Sequence, residues 1–183
     1  MRPARPLGAG RGDAPALRLV GTADASASEL LEQARVAEER GRSDLARELY
    51  DRALQRVRTA DEAPLAHAAL LASARLATAG GETAIALDIL EAALASATAR
   101  GADADCASAS ALRSRVLWAS GDIGGAEGEA TRARDWARRA GEYREAAQCL
   151  RTLGALAVAR ASLDEGIAPV SYTHLTLPTN REV

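Results

Sequence analysis

The feature that most constrains this chain is an internal repeat of forty residues. Gly41, Gly81 and Gly121 lie one repeat apart. Small residues keep the same spacing before and after these glycines: Ala34, Ala74, Ser114 and Gly154, then Ala46, Ala86, Ala126 and Gly166. A repeat of this length is one supersecondary unit, which buries its apolar face only by stacking on its neighbours. The spacing therefore predicts a repeat array instead of an ordinary helical bundle.

Each unit is predicted to contain two helices. A second break recurs at Asp61, Gly101 and Gly141, which leaves helices of about 16 residues with large apolar residues at helical spacing. Small residues at fixed positions let paired helices cross closely, since larger side chains would hold the backbones apart. The chain has 45 alanines among its 183 residues. This composition supports an all-α fold.

Residues at the predicted helix starts agree with this division. Ser26 with Glu29, and Ser162 with Glu165, form capping-box patterns. Ser43 is expected to cap the second helix of the first unit. Pro64 stands where a first helical turn is expected.

These patterns resemble the tetratricopeptide repeat. That family places small residues where Ala34 and Ala46 stand, and a large residue where Tyr50 stands. The period of forty exceeds the family's usual 34 and is similar to the long-helix, MalT-like variety found in bacterial regulators. The third unit departs from the pattern, with Ala130 at the large position and Gly124, Gly125 and Gly128 in its second helix. The resemblance implies a right-handed α-solenoid of about four helix–turn–helix units over residues 26–60, 61–100, 101–140 and 141–168.

The two ends of the chain differ from the repeats. Residues 1–25 are rich in proline and glycine and are expected to be a disordered leader or linker. Residues 169–183 contain no alanine and resemble the conceptual translation of a sequencing adapter. We therefore expect a non-native tail after Ala168, a truncated fourth unit, and an incomplete helix beginning near Ser162. The uncovered partner helix would favour self-association through this C-terminal repeat.

No combination of residues predicts catalysis, a cofactor or a metal. His67 is expected to be a partly exposed helix residue, and Cys106 and Cys149 to be buried packing residues. No phosphate-binding loop follows a strand pattern. We therefore expect a protein that is not an enzyme.

Binding is the expected function, because the resemblance implies that the first helix of each unit lines a concave groove. The groove-facing positions one repeat apart are occupied by Arg35, Arg75 and Arg115, and Arg151 would extend this ladder. Trp118 is a candidate apolar anchor in the same groove. Guanidinium groups can bind carboxylates in pairs, so a protein or acidic peptide is the expected partner. A solvated ladder without a ligand, and Trp118 as plain packing, are the alternatives.

Two functions remain open on the sequence. The first is a protein–protein interaction scaffold. The second is the N-terminal regulatory or sensor region of a larger bacterial signalling protein, whose nucleotide cyclase, kinase or transcription-activator domain is missing. The net charge of −2 argues against direct binding of nucleic acid. No apolar run of about 18 residues is present, so no membrane contact is expected and the predicted location is cytoplasmic.

Overall fold

The computed structural model describes residues 25–57 and 59–175, with side chains, Ala60 excepted, as far as Ala161. Helices and a short 3-10 helix account for these residues, and no strand occurs within them. Their bounds are α1 Ala27–Glu39, α2 Ser43–Arg56, the 3-10 helix Ala60–Glu62, α3 Ala63–Ala79, α4 Thr83–Ala99, α5 Asp103–Ala119, α6 Ile123–Arg139 and α7 Tyr143–Leu175. The predicted all-α repeat solenoid is confirmed.

Five turns between helices share one geometry. At the first, Gly41 has a φ of 71°, and its N–H donates to the carbonyl of Glu38. The N–H of Arg42 donates to the carbonyl of Ala37, which completes a Schellman motif. The pattern returns at four further glycines with positive φ: Gly81, Gly101, Gly121 and Gly141. The glycines predicted to break the helices therefore do so, because a residue without a Cβ adopts this backbone conformation at little cost.

Two of the four predicted helix starts, at Ser26 and Pro64, are confirmed, whereas those at Ser43 and Ser162 are wrong. Ser26 and Glu29 form the full capping box, and Pro64 stands in the first turn of α3. Ser43, however, is the first residue of α2, and Arg42 is its N-cap without a side-chain hydrogen bond. The Schellman turn explains why α2 begins one residue earlier than expected. Arg42 closes the Schellman motif at the end of α1 and is also the N-cap of α2.

The repeated small residues lie where paired helices meet. Ala34, Ala46 and Ala86 are fully buried. In the third unit the Ser114 hydroxyl donates to the backbone carbonyl of Ala126 at 2.8 Å. The helices α5 and α6 are therefore close enough for a direct hydrogen bond between them. A larger side chain at any of these positions would separate the helices and expose the leucines between them.

The helices form two layers with different contacts. Consecutive helices pack on each other, and the odd-numbered helices also contact each other, α1 with α3, α3 with α5 and α5 with α7. The even-numbered helices make no comparable contact with each other in the described part of the chain. Because the odd helices are closer together, the solenoid curves with those helices on its inner side.

The fourth unit differs from the prediction. We expected a new helix near Ser162, but α7 runs without interruption from Tyr143 to Leu175 and crosses the expected boundary after Ala168. The physical reason is residue 161, which is alanine where the earlier units have glycine with positive φ. No second helix covers α7 in the described residues, and Gly154 is exposed.

Residues 1–24 of the expected leader and residues 176–183 of the expected tail lie outside the described residues. Ala25, the last residue of the expected leader, is instead buried against the core of the first unit. Within the described residues, no helix is both long enough and apolar enough to span a bilayer.

Candidate peptide-binding face

The predicted arginines all lie on odd-numbered helices. Arg35 is on α1, Arg75 on α3, Arg115 on α5 and Arg151 on α7, and each is exposed. The short Schellman turns keep every unit in the same register, so residues one repeat apart occupy equivalent positions. The structure brings these arginines together in two pairs, each in its own pocket.

The first pair lies in a pocket between α1 and α3, which we call the α1/α3 pocket. Arg35 and Arg75 line it together with Glu38 and Glu39, and its volume is about 510 Å³. The hydroxyl of the buried Tyr50 donates to Oε2 of Glu38 at 2.8 Å. This pocket therefore has two carboxylates beside its two guanidinium groups, and it is not strongly basic.

Burial and the carboxylate of Glu38 both raise the pKa of Tyr50. Loss of solvent is the main cause, and the adjacent carboxylate adds to it, so the pKa of Tyr50 rises to about 12. Arg75 and Arg35 oppose this shift. The tyrosine is neutral at physiological pH and acts as a fixed hydrogen-bond donor that orients Glu38.

The second pair lies in a larger pocket between α5 and α7, which we call the α5/α7 pocket. Arg115 and Arg151 line it together with Arg144, and Glu145 is the acidic residue in its wall. Its volume is about 600 Å³. Three guanidinium groups against one carboxylate make this pocket the more basic of the two.

The arginines of this face are poorly neutralised. Arg75, Arg115 and Arg144 form no ion pair with a carboxylate of the described residues. Arg35 is 4.0 Å from Glu32 on its own helix. Arg151 donates a hydrogen bond to the side-chain carbonyl of Gln148. The inner face therefore has guanidinium donors available for an external anion.

Cys149 forms part of the floor of the α5/α7 pocket and is buried, as expected. Burial raises the pKa of the Cys149 thiol, and Glu145 raises it further. The thiol is therefore neutral at physiological pH and contributes apolar surface. Cys106 is also a buried free cysteine.

Trp118 lies apart from the arginine pairs. It stands in the last turn of α5 with 37% of its surface exposed, and it lines neither pocket. Its role as an anchor stays a prediction. The other tryptophan, Trp136, is covered by the guanidinium of Arg139, which lies 3.7 Å from the ring centroid.

The expectation that His67 is partly exposed is wrong. His67 is buried, and its Nε2 lies 2.9 Å from the Ser108 hydroxyl, which links α3 to α5. Burial lowers the pKa of His67, although Asp105 acts in the opposite direction. The contact between odd-numbered helices buries this position, and a sequence pattern that treats each helix separately does not reveal it.

Sequence reasoning also missed a buried charge in the third unit. Glu129 is buried, with Oε1 2.9 Å from Arg132 and 3.8 Å from Arg113. The sequence contains a signal for this departure, because the first two units have the apolar residues Leu49 and Ile89 where the third has Glu129. The cluster joins α5 to α6, and a buried carboxylate is costly unless it is paired in this way.

No group of His, Cys, Asp and Glu that could hold a metal ion occurs among the described residues. The α5/α7 pocket, with three guanidinium groups against one carboxylate, is suited to binding an anion.

The fold is also found among solved structures. The chain is similar to the crystal structure of BtubC (BKLC) from P. vanneervenii, with a TM-score of 0.64 and 21% identity. The match covers 75% of this chain and 56% of that chain, so the chain spans little more than half of its neighbour's length. No protein-family model and no curated protein matches the sequence. The similarity supports the helical-repeat fold.

Proposed function

We propose that this protein is an interaction scaffold of the tetratricopeptide type, and that it binds an acidic peptide segment on its inner face. The observation that carries the proposal is that Arg75, Arg115 and Arg144, all exposed on odd-numbered helices, form no ion pair with a carboxylate of the described residues. Repeat arrays generally use their concave surface for extended partners. Guanidinium groups suit carboxylates because they offer paired donors in a fixed plane.

The arrangement of the arginines sets the expected mode of binding. The two pockets lie between successive odd-numbered helices, so an occupant that reaches both must be extended. Exposed arginines contribute mainly by attracting an oppositely charged partner, and their effect falls as salt screens it. We therefore expect binding that depends strongly on ionic strength.

The experiment measures binding of an acidic peptide, Asp-Glu-Phe-Glu-Asp-amide with fluorescein on its N-terminal amine, by fluorescence anisotropy. The test variant is Arg75→Ala combined with Arg115→Ala. The matched control is Arg42→Ala combined with Arg138→Ala, which removes the same charge outside both pockets. We expect about a tenfold or greater loss in the test variant, from two charged contacts, and a much smaller loss in the control. Equal losses in both variants would show that only net charge matters and would overturn the proposal.

The alternative role as the regulatory region of a larger signalling protein assigns the same binding task to residues 26–168. It differs only in the domain that the intact polypeptide would carry, and it stays a prediction.

A further inference from the structure

The α5/α7 pocket exists because the third unit lacks two large side chains that the first two units have. At one position the repeat places Leu31 and Leu71, and then Ala111. At the second position it places Tyr50 and Leu90, and then Ala130. Both Ala111 and Ala130 line the pocket.

In the first two units these side chains fill the corresponding space. Tyr50 and Leu90 are fully buried, Leu31 is buried, and Leu71 packs against the core of its unit. Truncation of buried side chains leaves a cavity when the surrounding helices do not collapse. The hydrogen bond from Ser114 to Ala126 joins α5 to α6 beside this space.

The walls of this pocket have two chemical characters. Its floor has small side chains, Ala111, Ala130 and the neutral thiol of Cys149, beside Ser114, whose hydroxyl already donates to Ala126. The polar residues Gln148 and Thr152 also line the pocket. Its rim has the guanidinium groups of Arg115, Arg144 and Arg151 against the single carboxylate of Glu145. An occupant that matches both must offer an apolar side chain next to carboxylates.

We propose that the α5/α7 pocket is the specificity pocket of the protein, and that it receives one large apolar side chain of the bound peptide. That side chain takes the place that Tyr50 and Leu90 take in the preceding units. The acidic residues on either side of it in the peptide contact the arginine rim. This inference rests on the proposed function and adds to it the class of side chain that is selected.

The test compares two peptides that carry fluorescein on the N-terminal amine and differ at one residue, Asp-Glu-Phe-Glu-Asp-amide and Asp-Glu-Ala-Glu-Asp-amide. We expect the wild-type protein to bind the phenylalanine peptide about tenfold more tightly, because a buried aromatic ring gains at least that much. In the variant Ala111→Leu/Ala130→Leu, which restores the residues of the second unit, the phenylalanine peptide should bind no better than the alanine peptide.

The outcomes separate this inference from the proposed function. If the phenylalanine preference is absent, or survives in the filled variant, the pocket assignment is overturned. The proposed function still stands in that case, provided that Arg75→Ala/Arg115→Ala weakens both peptides. If neither peptide binds the wild-type protein, both proposals fail.

A second measurement covers the case in which the filled variant does not fold. Amide chemical shifts of the wild-type protein are followed by NMR while the phenylalanine peptide is added. The largest shifts relative to the alanine peptide are expected at Ala111, Ala130 and Cys149. Larger shifts at Leu31 and Tyr50 would place the side chain elsewhere and would refute the inference.

Discussion

Replacement of Tyr50 by alanine is the strongest test of how the first repeat is held together. Tyr50 is fully buried, and its hydroxyl donates to Glu38. An aromatic side chain buries roughly 150–250 Å², which at about 25 cal/mol per Å² corresponds to roughly 4–6 kcal/mol. Measured aromatic-to-alanine changes in protein cores cost about 3–5 kcal/mol. We expect Tyr50→Ala to lower the free energy of unfolding by an amount in that lower range.

The contribution of the hydroxyl can be separated from that of the ring. Tyr50→Phe keeps the ring and removes the hydrogen bond to Glu38, which should cost about 1 kcal/mol. Leu90→Ala is the matched change in the next unit, where the side chain is also fully buried, and it should cost about 2–5 kcal/mol.

Urea denaturation supplies the assay, with two signals that report different regions. Far-ultraviolet circular dichroism follows all the helices, whereas fluorescence follows Trp118 and Trp136, which both lie in the third unit. In a repeat array each unit is coupled mainly to its neighbours. We therefore expect Tyr50→Ala to shift the dichroism transition more than the fluorescence transition.

A loss below about 1 kcal/mol for Tyr50→Ala would refute this reasoning, because a fully buried aromatic ring cannot be removed so cheaply from a packed interface. A Tyr50→Phe variant as unstable as Tyr50→Ala would contradict the assignment of most of the effect to the ring.

Three further predictions concern single residues. Because burial lowers the pKa of His67, the unfolded chain binds a proton at this residue more readily than the folded chain does. Stability should therefore fall as the pH drops below about 6.5. His67→Gln should flatten this part of the pH profile in urea titrations, and an unchanged profile would contradict the prediction. Gly121→Ala should destabilise by about 1–2 kcal/mol, because a φ of 87° disfavours any residue with a Cβ; thermal denaturation would show no change if the turn were different. Ser26→Ala should cost about 0.5–2 kcal/mol through loss of the capping box, and its effect should appear as faster amide exchange in the first turn of α1.

The candidate site could be only partly predicted from the sequence. The repeat register places Arg35, Arg75 and Arg115 on equivalent helices, because residues forty apart in identical units must be equivalent. It does not show that Glu38 shares a pocket with the first two arginines. Whether Arg75 or Arg115 meets a carboxylate of another helix depends on how helices that are distant in the sequence pack together.

The sequence contains a signal for the α5/α7 pocket, but the pocket is not among the features that it predicts here. Ala130 was visible as a departure from the large residue of the earlier units. Its meaning depended on Ala111 and Cys149, which approach it from two other helices. A small residue leaves a cavity only if its neighbours fail to fill the space, and that is a property of the packing.

The kind of fold follows from the amino-acid pattern alone, because periodic small residues and glycines with no Cβ are local properties that need no partner. Gly41 and its equivalents turn the chain wherever they occur, and the helices between them follow from composition and spacing. The tertiary structure decided the rest. It showed that His67 is buried between α3 and α5, and that three arginines surround a pocket with small side chains at its floor. These features depend on contacts between helices whose distances only packing can set.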